Sequence, residues 1–179
     1  MQNSTLPSPP PPPSVFQHAL AILVLPFTVT IIVPYLLLSP GLKIHNNPIT
    51  LAFSAFFFLL GGTLFVTTLQ LFHFKGKGTL APWQPTKRLV VSGPYLYCRN
   101  PMITGVLFLL LGESFLFYST RLLVWAGCFF LINTVYFLIK EEPDLEKRFG
   151  EDYRRYKQLA PRWIPRLRPI RWEEKEADT

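Results

Sequence analysis

Residues 49–72 read ITLAFSAFFFLLGGTLFVTTLQLF, without one charged side chain. Crossing a hydrocarbon core takes about 20 apolar residues as a helix, so this stretch is long enough to span a bilayer. Residues 16–38, 102–119 and 121–139 are similarly apolar, with Glu113 and Arg121 as their only Asp, Glu, Lys or Arg residues. The expected fold class is an all-α integral membrane protein with four transmembrane helices. Pro26 and Pro34 predict kinks in the first span, whose freed carbonyls neighbouring helices must satisfy. The third and fourth spans are joined by almost nothing, which predicts a tight helical hairpin. Gly105 and Gly112 lie on one face of the third span and invite close approach of another backbone.

Composition agrees with this reading. Of 179 residues, 49% are apolar and only 16% charged, against about 25% charged in soluble domains. The net charge of +7 would suggest nucleic acid in a soluble protein. Here the basic residues flank apolar spans and are expected to face anionic lipid headgroups, with no nucleic-acid partner. Cys98 and Cys128 fall in a loop and inside a span, so they are read as packing residues and not as a disulfide. The first apolar segment is too long for a signal peptide and has no Lys or Arg before it, so it is expected to remain as a span.

Charge placement sets the orientation. Of the 18 Lys and Arg residues, five lie between residues 73 and 101 (Lys75, Lys77, Lys87, Arg88, Arg99) and 11 follow residue 139. Only Lys43 and Arg121 fall on the other side of a four-span topology. By the positive-inside rule both termini are expected to be cytoplasmic, in a bacterial inner membrane or the endoplasmic reticulum. Three or five spans would divide the two basic stretches between opposite faces.

Three regions follow from this pattern. Residues 1–14, with prolines from Pro9 to Pro13, are an extended tail. Residues 15–166 form the membrane domain, and 167–179 a charged C-terminal tail. Within the domain, Leu145, Phe149, Tyr153, Tyr156 and Leu159 recur at helical spacing, with Arg148, Arg154 and Arg155 elsewhere on the surface. This predicts an amphipathic cytoplasmic helix, begun near Pro143 and stopped by Pro161 and Pro165, with Gly150 as its weak point.

The polar residues able to carry chemistry gather at the cytoplasmic face. Asn100 can cap the third span, and Pro101 suits its first position. The helix N-terminus beside Arg99 would then attract a carboxylate or phosphate, although an ordinary capped helix with a snorkelling arginine reads equally well. Glu141 and Glu142 end the fourth span, where the helix dipole already disfavours negative charge. A cationic ligand or basic residues of the next helix would relieve them. The hairpin makes these two ends neighbours, so a ligand carrying both a carboxylate and positive charge, such as S-adenosylmethionine, would match them. Glu113 lies about 21 Å along the third span from Arg99 and is assigned a structural role near Trp125 and Cys128. No nucleophile elbow, P-loop or metal-spaced cluster occurs; His18, His45 and His73 are scattered, and GKG at 76–78 is too short to carry an assignment.

The run GKGTLAPWQPTKRLVVSGPYLYCRNPM, the hairpin after it, and EEPDLEKRFGEDYRRYKQLAPRWIPR resemble the isoprenylcysteine carboxyl methyltransferase and phospholipid methyltransferase families of integral membrane enzymes. The likeness covers roughly residues 75–166 and rests on an ordered series: GPY, RNP, EE, a leucine, FG and two tyrosines. It implies an S-adenosylmethionine-dependent methyltransferase with the cofactor between the last two spans and the cytoplasmic segments, and a lipid-like or small acceptor entering from the bilayer. By motif match Tyr95, Arg99, Asn100, Glu141 and Glu142 would hold the cofactor, Tyr153, Arg154 and Tyr156 would close the pocket, and Arg99 with Glu142 would be the pair most needed for activity. Ile103, where many relatives have Tyr, and Asn100, where isoprenylcysteine enzymes more often have His, leave a carboxylate, an amine or a thiol open as acceptor. Two alternatives remain: a nicotinamide-dependent reductase, because membrane sterol reductases resemble the family in their C-terminal half, and a non-enzymatic lipid-binding protein whose contacts would be Arg162, Arg166, Arg168 and Arg171.

Overall fold

The computed structural model describes residues 26–39, 41, 43–71 and 89–172. The polyproline tail, the first part of the first span, the GKG run, His18, His73 and residues 173–179 lie outside the described residues. Among the described residues the chain is all helical, with no strand. Helix α1 (Thr28–Leu38) opens with a π turn at Thr28–Ile32. Helix α2 (Pro48–Leu71) is followed by a 3-10 turn at Gly93–Leu96, helix α3 (Pro101–Leu116) and helix α4 (Thr120–Tyr136). A second π turn, Phe137–Glu141, then leads into helix α5 (Glu142–Leu159). Two helices are long and apolar enough to cross a membrane, α2 and the continuous run Thr120–Leu159. Their outward faces carry large exposed aliphatics, Leu59 and Ile139 each at 73%, which favour lipid over water. Helices α1 and α3 are apolar but shorter.

Both π turns have one cause. A proline inside a helix lacks an N–H and its ring collides with the carbonyl four residues back. Widening the turn moves that carbonyl away: the N–H of Val33, just before Pro34, donates to Thr28 O, and that of Glu142, just before Pro143, to Phe137 O. The first π turn leaves Val29 O facing Pro34, which has nothing to donate. The indole of Trp125 on α4 supplies the missing donor at 3.2 Å, so a neighbouring helix does satisfy a carbonyl freed by the kink. Trp125 therefore bonds α1 and not Glu113, whose buried Oε2 has no hydrogen-bond partner among the described residues. Arg121 likewise closes the end of α1, donating to Leu37 O at 3.2 Å.

Helices α2 and α3 run antiparallel and form the best-packed pair. Phe53 and Phe57 stack on Phe115 at one end, and Gly61 meets Gly105 toward the other. A methyl group on Gly61 would sit 2.7 Å from Gly105 O and 2.9 Å from Leu109 N, so two backbones touch with no room between them. Gly112 accommodates the ring of Phe58 in the same interface. The expected close approach at Gly105 is thus present, with Gly61 as its partner. The hairpin between α3 and α4 turns through Phe117, Tyr118 and Ser119, whose hydroxyl accepts from Leu122 N. Tyr118 holds a left-handed conformation there (φ 46°) and stacks on His45 at 4.5 Å.

Helix α5 departs from the single amphipathic helix that periodicity predicts. Gly150 takes φ 54° and ψ −124°, a conformation open only to glycine, and interrupts it. Residues 142 and 157 would stand about 22 Å apart in a straight helix, yet Lys157 Nζ lies 3.4 Å from Glu142 Oε2. The chain therefore doubles back, and Leu145 and Phe149 before the break pack with Tyr153 and Tyr156 after it around Val91 and Ile170. Packing continues to Trp172, against which Tyr156 sets its ring.

Candidate functional site

The second π turn delivers two consecutive glutamates into different surroundings. Glu142 is buried, and its Oε1 accepts from Arg99 Nη1 at 2.9 Å and from Arg162 Nε at 2.7 Å. Lys157 approaches the other carboxylate oxygen. Burial works against charge on Glu142, but the Arg162 hydrogen bond and the fields of Arg99 and Arg162 outweigh it, holding the carboxyl below the ordinary carboxylate range. Three cations thus face one carboxylate, which leaves a surplus of positive charge. Arg99 carries part of it, and its Nε is buried without a hydrogen-bond partner among the described residues.

Glu141 has no ion pair among the described residues. Burial and the charge of Glu142 push its carboxyl up to about 7. The anionic pair foreseen from the sequence is therefore split: one member is neutralised by cations of the protein, and the other is held toward its uncharged form by burial.

The remaining expected residues surround this centre unevenly. Asn100 stands at the cap position of α3, but its side chain caps nothing; its amide points to Arg162 O at 3.5 Å, while Pro101 opens the helix as expected. Tyr95 is buried in the 3-10 turn, and its carbonyl accepts from the Tyr156 hydroxyl at 2.7 Å, which locks the turn to α5. Tyr153 is buried beside Arg99; burial first, then Glu142, push its phenol up to about 12, with Arg99 pulling the other way. Arg154 does not join the group. It is exposed and pairs with Glu146 at 2.8 Å on the outer side of α5.

Two participants were missed by motif reading. Lys157 and Arg162, which both reach Glu142, come from the end of α5 and the segment after it. That segment is tied to the loop before α3 by backbone bonds: Arg99 N to Pro161 O at 2.8 Å, Arg166 N to Tyr97 O at 3.0 Å and Ile170 N to Leu96 O at 2.9 Å. Residues 160–172 contain no acidic side chain; that imbalance, after the adjacent Glu141 and Glu142, was the available signal. Cys98 is buried and Cys128 exposed, and both are free. Among the described residues no group of three His, Cys, Asp or Glu could hold a metal ion.

Arg99 thus keeps a guanidinium N–H without a partner, and Glu141, next in the chain to the glutamate that Arg99 binds, has no ion pair, both among the described residues. Residues 46–152 match the family described as phospholipid methyltransferase, a region that takes in α2 to α4 and the glutamate pair. An uncharacterized protein of Haemophilus influenzae is 43% identical over 44 residues, covering 24% of this chain and 70% of that protein. No solved structure matches the chain.

Proposed function

The chain belongs to the phospholipid methyltransferase family, and from that premise we propose that it transfers a methyl group from S-adenosylmethionine to a lipid-like or small membrane-accessible acceptor. The observation that carries this reading is the Arg99–Glu142 contact, which holds an arginine with an orphaned Nε at the helix end that also bears Glu141, a glutamate without an ion pair among the described residues. The cofactor's carboxylate would be held by Arg99, and its ammonium and sulfonium would lie toward Glu141. Bound there, S-adenosylmethionine supplies an electrophilic methyl group. The protein's own residues supply position: Glu142 and Arg162 fix Arg99, Asn100 and Tyr95 form the adjoining wall, and Tyr153 and Tyr156 pack the far side. Methyl transfer needs in-line approach of the acceptor more than proton chemistry, so such fixing is the main catalytic contribution. Exclusion of water by the membrane and the C-terminal segment strengthens the electrostatics.

The same proposal includes four spans with both termini cytoplasmic. Arg99 on the approach to α3 and Glu142 after α4 meet at one end of the bundle, while Arg121 meets the end of α1 at the other. Among the described residues Arg99, Lys157 and Arg162 gather at the Glu142 end, the pattern that the positive-inside rule expects of a cytoplasmic face. Helix α5 caps that face as a broken amphipathic element, and the domain that began near residue 15 runs on through Trp172.

The test is transfer of a labelled methyl group from S-adenosylmethionine in membranes containing the protein, with mass identification of the product. Labelled lipid or small acceptor is the expected outcome. Saturable binding of NADPH but not of S-adenosylmethionine would overturn the proposal.

A further inference from the structure

The segment after α5 presents a surface that the cofactor site does not use. Trp163 turns inward, its ring 5.0 Å from Phe130 and 5.5 Å from Phe137. Those two phenylalanines are separated by about 10 Å along α4 and the π turn after it, so the tryptophan packs alongside the last turns of that apolar run. The next residues turn outward: Ile164 is 81% exposed and Leu167 fully exposed. Arg166, Arg168 and Arg171 are also exposed, and residues 160–172 hold no acid; Glu173, Glu174, Glu176 and Asp178 come only after them in the chain. Two bare aliphatics among arginines, level with the end of a span, match the chemistry of an anionic lipid surface, with apolar side chains in the boundary and guanidinium groups on phosphates.

We propose that residues 160–172 form an interfacial strap that docks on anionic headgroups of the membrane holding the protein, and that docking sets Arg162 on Glu142. The strap's inner side already holds the site: Pro161 O accepts from Arg99 N, and Arg162 donates to Glu142. Lipid charge therefore reaches the Arg99–Glu142 pair through a backbone only a few residues long. This inference rests on the membrane location of the bundle and not on methyl transfer, so either can fail alone.

The test places a nitroxide at Leu167→Cys, in a Cys98→Ala, Cys128→Ala background, and reconstitutes the full chain in vesicles of neutral phospholipid with or without anionic phosphatidylglycerol. Collisions of the label with dissolved oxygen and with a water-soluble nickel chelate are compared. With anionic lipid the label is expected to favour oxygen, and Arg168→Gln with Arg171→Gln to weaken docking about fivefold per residue. Equal, water-like exposure in both vesicles would overturn the proposal, as would shielding seen only in native membranes, which would point to an acidic protein partner. Because the cysteine background could disturb folding, the natural chain and Trp163→Phe are also compared with brominated lipids. Quenching present in the first and reduced in the second is expected; no difference would count against the strap.

Discussion

Glu142, itself buried, accepts from a largely enclosed Arg99 and a partly exposed Arg162, and replacing it with Gln would leave both charges without their partner. Removing one partner of a buried ion pair costs about 3–5 kcal/mol, so Glu142→Gln is expected to lower thermal stability markedly in detergent. Glu141→Gln removes no ion pair seen in the fold. It should leave the melting temperature nearly unchanged at acid pH, raise it above neutral pH where the buried carboxylate would otherwise ionise, and weaken S-adenosylmethionine binding by roughly tenfold or more, the usual worth of a charge-assisted contact. Calorimetric titration beside thermal melts would separate the two; equal destabilisation by both would sink the division of roles. The same residue predicts a pH dependence. A carboxyl raised to about 7 in the fold, from an ordinary value near 4.3, stabilises the ligand-free protein at low pH and loses that contribution as pH rises through 7. Binding of a cation at Glu141 runs oppositely, because it needs the ionised form. Affinity for S-adenosylmethionine should therefore fall as pH drops below about 7, approaching tenfold per unit, and Glu141→Gln should flatten both profiles. Glu142, held below the ordinary range, keeps its contribution until pH falls under roughly 4.

Among the elements, the α2–α3 crossing offers an internal control. Gly61 has backbone atoms of α3 at 2.7 and 2.9 Å from a virtual methyl group, whereas Gly62, its neighbour, has nothing within 4 Å. Gly61→Ala must push two helices apart and is expected to cost about 1–3 kcal/mol, as overpacking does. Gly62→Ala should be neutral or slightly favourable through helix propensity. Melting curves of the two variants in the same detergent check this, and indistinguishable losses would show that the crossing is looser than described. The break at Gly150 works differently. Open space surrounds it, so what forbids a side chain there is backbone conformation and not crowding.

For the whole molecule, the meeting of helix ends fixes which residues share a face. Arg99, Glu142 and Arg162 lie together, and Arg121 lies with the end of α1 on the opposite side. Membrane-impermeant thiol reagents applied to sealed, right-side-out vesicles are expected to label a cysteine placed at Lys43, and to spare one placed at Glu151 until the membrane is opened. The reverse pattern would invert the orientation, and labelling of both would refute a shared cytoplasmic face for the site and the basic segments.

Much of this was legible in the residues themselves. Charge-free runs declare helices suited to lipid, because composition and length alone decide whether a helix tolerates hydrocarbon. The near absence of residues between the third and fourth spans declares the hairpin, and Pro26 and Pro34 announce a kink that Trp125 then repairs. The glutamate pair and Arg99 were also visible as the polar residues that matter. Their partnership was not, since which cation reaches which carboxylate depends on side chains brought together over 43 and 20 positions. Periodicity across Leu145 to Leu159 suggested one helix, because spacing cannot register that a single glycine reverses the chain. Gly61 went unread for the same reason: only a crossing helix gives a glycine its purpose. Local chemistry thus determined what the helices are and which residues are polar enough to act. Tertiary structure alone decided that Glu142 is spent on Arg99 and Arg162 while Glu141 has no ion pair among the described residues, because electrostatic partnership is a matter of distance in space.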